Sequence, residues 1–318
     1  MNKPLRLISL VLISWLGLVC LCLPQTAYQK QNSAYSHLIH VTVSDEKKKS
    51  IVEGLPKEAF TVFSEDEKQD ITFFAGQHVP TSIGLVIDAS GSMQSHKDKV
   101  TTIQTALLKF VSQGHSSNNY FVMSFQEEPR LLADWTKNIE TIKTALNQAV
   151  ARPKRRGSLF DTCYEAVKKL MQGKVTTAKR VIFLISDGED SYSKKSFEDL
   201  KKLLRQSEVM IYSLGVRDFF YEPLTGFGRE VLEELARISG GKSYIPTQSK
   251  KFDEAVQEIS LELQNQYTIG FNPIISDNKY HKIKVIVSPS PVQEVSTKDS
   301  TTQNMKLKAR TREGYFAK

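Results

Sequence analysis

The sequence predicts an α/β protein: a Rossmann-like, doubly wound, mostly parallel sheet, with a small β module formed from both ends of the chain. Three observations carry this. From Ser82 onward, short apolar runs alternate with longer amphipathic ones. Those runs are hydrophobic throughout, so they need cover on both faces. The two flanks contain strand-like segments and no helical stretch, and neither can bury an apolar face alone.

Taken in order, SIGLVID (82–88) reads as a strand and DKVTTIQTALLKFVSQG (98–114) as a helix, with Val100, Ile103, Leu107, Phe110 and Val111 on one face. YFVMSF (120–125) and RLLADW (130–135) form a hairpin through Glu127, Glu128 and Pro129. NIETIKTALNQAV (138–150) opens on an Asn cap. A helix over 158–173, the strand KRVIFLIS ahead of an acidic DGED, a helix over 197–207 and the strand VMIYSLGV (209–216) follow. Helices over 230–241 and 252–264 close this part, with Gly240 and Gly241 ending the first of them. In the flanks, LIHVTVSD, FTVFSEDEKQDITFF, YTIGFN, HKIKVIVS and MKLKARTREGYF are the strand candidates. The expected organisation is a leader over 1–27, an N-terminal β segment over 28–80, the α/β domain over 81–265, and a C-terminal β segment over 266–318 that pairs with the N-terminal one.

The leader has Lys3 and Arg6 ahead of an apolar run from Leu5 to Leu23, then Pro24 and polar residues. This is the layout of a secretory signal peptide cleaved after Ala27, or of an uncleaved N-terminal anchor. Either way the chain is exported, to the periplasm or beyond, and touches a membrane only through that segment. Cys20 and Cys22 belong to the leader, so Cys163 is left without a disulfide partner and falls on an apolar helix face. The formal charge of +8 in 318 residues is mild, and no motif of a DNA or RNA reader accompanies it.

The chemistry lies at two strand ends. IGLVIDASGSM finishes in Asp88, Ser90 and Ser92, and VIFLISDGED finishes in Asp187. Ligands of open parallel sheets bind outside the carboxyl ends of strands. Alternate oxygens at one such end and a second carboxylate at another suit a hard divalent cation: Mg²⁺, or Mn²⁺ or Ca²⁺. The plainer reading of DASGS is a turn with capping serines. Glu189 and Asp190 read as solvated loop acids.

DASGS (88–92) and SDGED (186–190), each after a hydrophobic strand of an alternating α/β chain, resemble the von Willebrand factor type A (VWA) domain with its metal-ion-dependent adhesion site. The flanks resemble an exported bacterial VWA family described from acidobacteria. The resemblance implies that Ser90 and Ser92 ligate the metal directly, that Asp88 and Asp187 take the acidic roles, and that a third loop adds a hydroxyl. There the sequence departs from the family: RRGSLFDT places Gly157 where a threonine is usual, with Ser158 beside it. Ser158 is thus either the third-loop ligand or a helix N-cap. Lys154, Arg155 and Arg156 in the same loop would draw an acidic ligand, or are solvated charges.

Other motifs carry less. GGKS (240–243) has Ala236 where a phosphate loop needs its first glycine, Gly226 and Gly228 make only half of a dinucleotide fingerprint, and HLIH lacks the glutamate of a zinc protease. No general base or triad accompanies the acidic strand ends. The sequence therefore points to a non-enzymatic binding or adhesion protein whose cation takes an Asp or Glu carboxylate of a protein partner. The alternative is an envelope scaffold with a degenerate metal site.

Overall fold

A computed structural model describes residues 36–91, 97–149, 156–172, 179–216, 226–288 and 306–317. The leader, Ser92, Lys154 and Arg155 lie outside these residues. No helix among the described residues is long and apolar enough to cross a membrane.

The chain begins with β1 (His37–Asp45), β2 (Ser50–Ile51), a 3-10 turn (Lys57–Ala59), β3 (Phe60–Ser64), β4 (Glu67–Gln69) and β5 (Ile71–Ala75). The α/β part runs β6 (Thr81–Asp88), α1 (Lys97–Gln113), β7 (Asn119–Phe125), β8 (Pro129–Thr136), α2 (Ile139–Ala149), α3 (Leu159–Met171) and β9 (Lys179–Ser186). It continues through α4 (Phe197–Gln206), β10 (Val209–Gly215), α5 (Phe227–Ser239), β11 (Ser243–Tyr244) and α6 (Ser249–Asn265). Strands β12 (Tyr267–Phe271), β13 (Tyr280–Val287), β14 (Leu307–Arg310) and β15 (Gly314–Phe316) complete the chain.

The central sheet has the order β11-β10-β9-β6-β7-β8 and is parallel except for the β7–β8 hairpin. Every residue of β6 and β10 is buried, as expected for strands covered on both faces. One core joins this sheet to α1, α2 and α6 through Leu107, Leu146 and Ile259. The other joins it to α3, α4 and α5 through Val167, Leu204 and Leu235. Asn138 caps α2, its Oδ1 accepting from Glu140 N at 2.8 Å, and Gly240 ends α5 at φ 84°. The helix placed over 230–241 starts earlier, at Phe227, with Gly226 at its N-cap.

The flanking strands form two sheets around a third core of Val41, Val62, Tyr267, Ile269 and Ile283. One has the order β14-β1-β12-β5, and the other β15-β13-β3-β4. Both draw on the two ends of the chain, so the module closes only when residues more than 200 apart meet, as Ile39 does Ile269. FTVFSEDEKQDITFF is not one alternating strand. It turns at Glu65 and Asp66, both at positive φ, so that β4 folds back on β3 and β5 pairs in the other sheet. MKLKARTREGYF likewise splits into β14 and β15 at Thr311–Glu313, one for each sheet.

Candidate metal centre

Strands β6 and β9 are parallel neighbours in register, Ile87 opposite Ile185, so Asp88 and Ser186 leave the sheet side by side. The Asp88 carboxylate accepts the Ser186 hydroxyl at Oδ2 (2.7 Å) and the Ser90 N–H at Oδ1 (2.9 Å). Asp187 Oδ1 accepts the N–H of Glu189 at 3.0 Å. Both carboxylates are only 2% exposed, and Ser90 only 6%. Burial, and then the charge of Asp187, pushes the Asp88 carboxyl up to about 7. Two buried carboxylates thus adjoin without a basic side chain among the causes that set this shift.

Gly188 holds the second strand end against α5. Its φ is +77°, and a Cβ there would stand 2.0 Å from the Gly228 carbonyl oxygen; one on Gly228 would meet the Asp187 carbonyl oxygen at 2.3 Å. Gly226 and Gly228, read from sequence as a broken nucleotide fingerprint, start a helix that packs on the Asp187 backbone.

The third loop is tied to the first through β7. Ser158 N donates to Gln126 O at 2.7 Å, while Gln126 Nε2 donates to Ala89 O at 3.1 Å. Ser158 stands at the N-cap position of α3, yet its hydroxyl makes no capping bond. The residue is fully buried, and its hydroxyl has no hydrogen-bond partner among the described residues. The helix is capped from elsewhere: Asp190 Oδ1 accepts Phe160 N at 3.2 Å, and Ser193 Oγ accepts Asp161 N at 3.0 Å. Ser193 Oγ also donates to Asp190 Oδ1 at 2.6 Å, and Asp161 returns the contact by accepting the N–H groups of Lys194 and Lys195.

Two sequence readings change here. Asp190 is not a solvated loop acid; it is half-buried and fixes the start of α3, whereas Glu189 is exposed. Ser158 stands at the N-cap as read, but its side chain makes no capping bond, and the β9–α4 loop supplies the capping acceptors instead. Arg156 is exposed, with its guanidinium 5.7 Å from the ring centroid of Tyr192. Ser186, Gln126 and Ser193 were missed, although Ser186 stands directly before Asp187 in the motif already noted. Cys163 is fully buried, its thiol pushed well up by burial.

Residues 82–262, more than half of the chain, match the von Willebrand factor type A domain family. The chain belongs to this family. Among solved structures, proximal thread matrix protein 1 from the mussel byssus, in a form with a zinc-occupied MIDAS motif, superposes with a TM-score of 0.51 at 18% identity, covering 62% of this chain and 49% of that one. This chain therefore spans about half the length of the mussel protein. A von Willebrand factor type A protein from Catenulispora acidiphila gives a TM-score of 0.48 at 11% identity, covering 81% and 72%. At 18% identity the likeness to the mussel protein is one of fold. No curated protein matches the chain.

The residues of this VWA domain fit a divalent cation. Hard cations take oxygen donors; the strand ends offer two buried carboxylates and the Ser90 hydroxyl, and the start of α3 adds the orphaned Ser158 hydroxyl. A buried hydroxyl without a partner is costly, and a cation beside it would remove that cost. Among the described residues no cluster of three or more His, Cys, Asp or Glu side chains could hold a metal by itself.

Proposed function

We propose that this VWA protein is an exported, non-enzymatic binding module that engages a protein partner through a divalent cation. Asp88, Ser90, Ser92, Ser158 and Asp187 hold the ion, with Asp88 and Asp187 balancing the charge of Mg²⁺ or Mn²⁺. The bound cation supplies an open coordination position for an Asp or Glu carboxylate of the partner. Arg156, with Lys154 and Arg155, favours an acidic approach. The leader sequence supports export to the periplasm or outside the cell. The observation that carries the reading is the Ser158 hydroxyl, buried, unpartnered and relieved of capping.

Calorimetric titration of the protein with Mg²⁺ and Mn²⁺ tests it. Saturable binding that is lost in Asp88→Ala and weakened in Ser158→Ala is expected. Absence of binding at millimolar metal would leave the scaffold reading, which the glycine at position 157 favours. A partner recovered with metal present should dissociate in excess chelator.

A further inference from the structure

At the other end of the central sheet, where β9 and β10 begin, a cleft of about 220 Å³ opens between the VWA core and the β module. Arg180, Arg205, Glu208, Arg312, Tyr315 and Phe316 are among its walls. Among the described residues that line it, three guanidinium groups are set against a single carboxylate. Arg312 is committed to the structure: its Nε donates to Gly314 O (2.6 Å), Nη1 to Ser207 O (2.5 Å) and Nη2 to Arg205 O (2.9 Å). It thereby ties β15 to the end of α4.

The other two arginines are not used up in this way. Glu208 accepts the Leu38 N–H at 3.2 Å and lies 3.9 Å from Arg180 Nη1, a long contact for an ion pair. Arg180 Nε is buried and meets no acceptor among the described residues. Arg205 is half-buried with its guanidinium 5.9 Å from the Tyr280 ring centroid, and no carboxylate among the described residues pairs with it. A polar cleft with surplus positive charge and an orphaned buried N–H lacks an acceptor. Guanidinium forks match the oxygens of carboxylate and phosphate.

We propose that this cleft is an anion site that takes the carboxylate or phosphate group of a small molecule, held by Arg180 and Arg205 against the Tyr315–Phe316 wall. The site is independent of the metal centre at the opposite end of the strands. Its ligand therefore binds in the presence of chelator.

Calorimetry on the full chain in EDTA, with inorganic phosphate and with benzoate as separate probes, tests this. Saturable binding of at least one probe is expected, weakened roughly tenfold in Arg180→Gln by loss of a charge-assisted hydrogen bond. Benzoate alone would identify a carboxylate ligand, and phosphate alone a phosphate one. The proposal is overturned if neither probe saturates at tens of millimolar, or if Arg180→Gln binds as the parent does. Should Arg180→Gln fail to fold, Arg205→Gln decides by the same criterion.

Discussion

Asp190 Oδ1 accepts the backbone N–H of Phe160, so α3 is capped by a residue 30 positions further along the chain. This leaves Ser158, the local N-cap, with its hydroxyl unspent. Asp190→Ala should remove the distant cap and cost about 1 kcal/mol of stability. Ser158 would then be drawn into capping its own helix, so Mn²⁺ affinity should fall as well. Asp190→Asn keeps an acceptor and should lose less of both. Urea unfolding and metal calorimetry on the two variants measure this, and unchanged metal affinity in Asp190→Ala would separate the cap from the site.

Ser158→Ala should act in opposite directions with and without metal. In the metal-free protein it deletes a buried hydroxyl that has no partner, so stability should be unchanged or rise by up to about 2 kcal/mol. The added stability that Mg²⁺ gives the parent, through binding to the folded state alone, should shrink or vanish. Thermal melts with and without Mg²⁺ show both effects.

Much of the α/β part was legible because its signals are local. Uninterrupted apolar runs such as Ile83–Ile87 mark strands covered on both faces, and Asn138 and Gly240 mark helix ends whatever lies beyond them. The break at Glu65–Asp66 was hidden because polar turn residues also satisfy a period of two, and pairing partners are not written in that period. The same limit applies to the site. DASGS and SDGED show which strands end in oxygens, but which group caps α3 depends on a loop that approaches from 30 residues away. Sequence spacing could show that Ser158 follows Gly157; only the fold shows its hydroxyl to be buried and unpaired.

The β module grips α6 through Arg310, which pairs with Glu262 and also donates to the Gly240 carbonyl at 2.7 Å. Glu262 is buried and further accepts the hydroxyls of Tyr212 and Tyr244, each at 3.0 Å. Among the described residues, Arg310→Ala leaves this carboxylate with only Lys242, at 3.5 Å, as a cationic partner. The cost should be about 3 kcal/mol, the scale of an orphaned buried charge. Glu262→Gln combined with Arg310→Ala should recover part of it, because no unpaired charge remains. A double-mutant cycle by urea unfolding gives the coupling, and simple additivity of the two losses would show that the pair does not act as a unit.

Lys179 opens β9 with its ammonium fully buried, donating to the carbonyl of Leu263 in the last turn of α6. A cation is favourable at a helix C-terminus, but burial dominates and brings this group down to about 7 from its ordinary 10.5. The unfolded chain therefore holds a proton that the folded one has released across this interval, and folding gains from rising pH. The gain should approach about 1.4 kcal/mol per pH unit between the two values and vanish below the lower one. Lys179→Met removes the titration while also removing the donor to Leu263, and the second loss does not vary with pH. Urea unfolding of both proteins from neutral to alkaline pH should show the parent gaining on Lys179→Met as pH rises. Parallel stability curves would mean that the ammonium stays charged in the fold, held by its bond to the helix end.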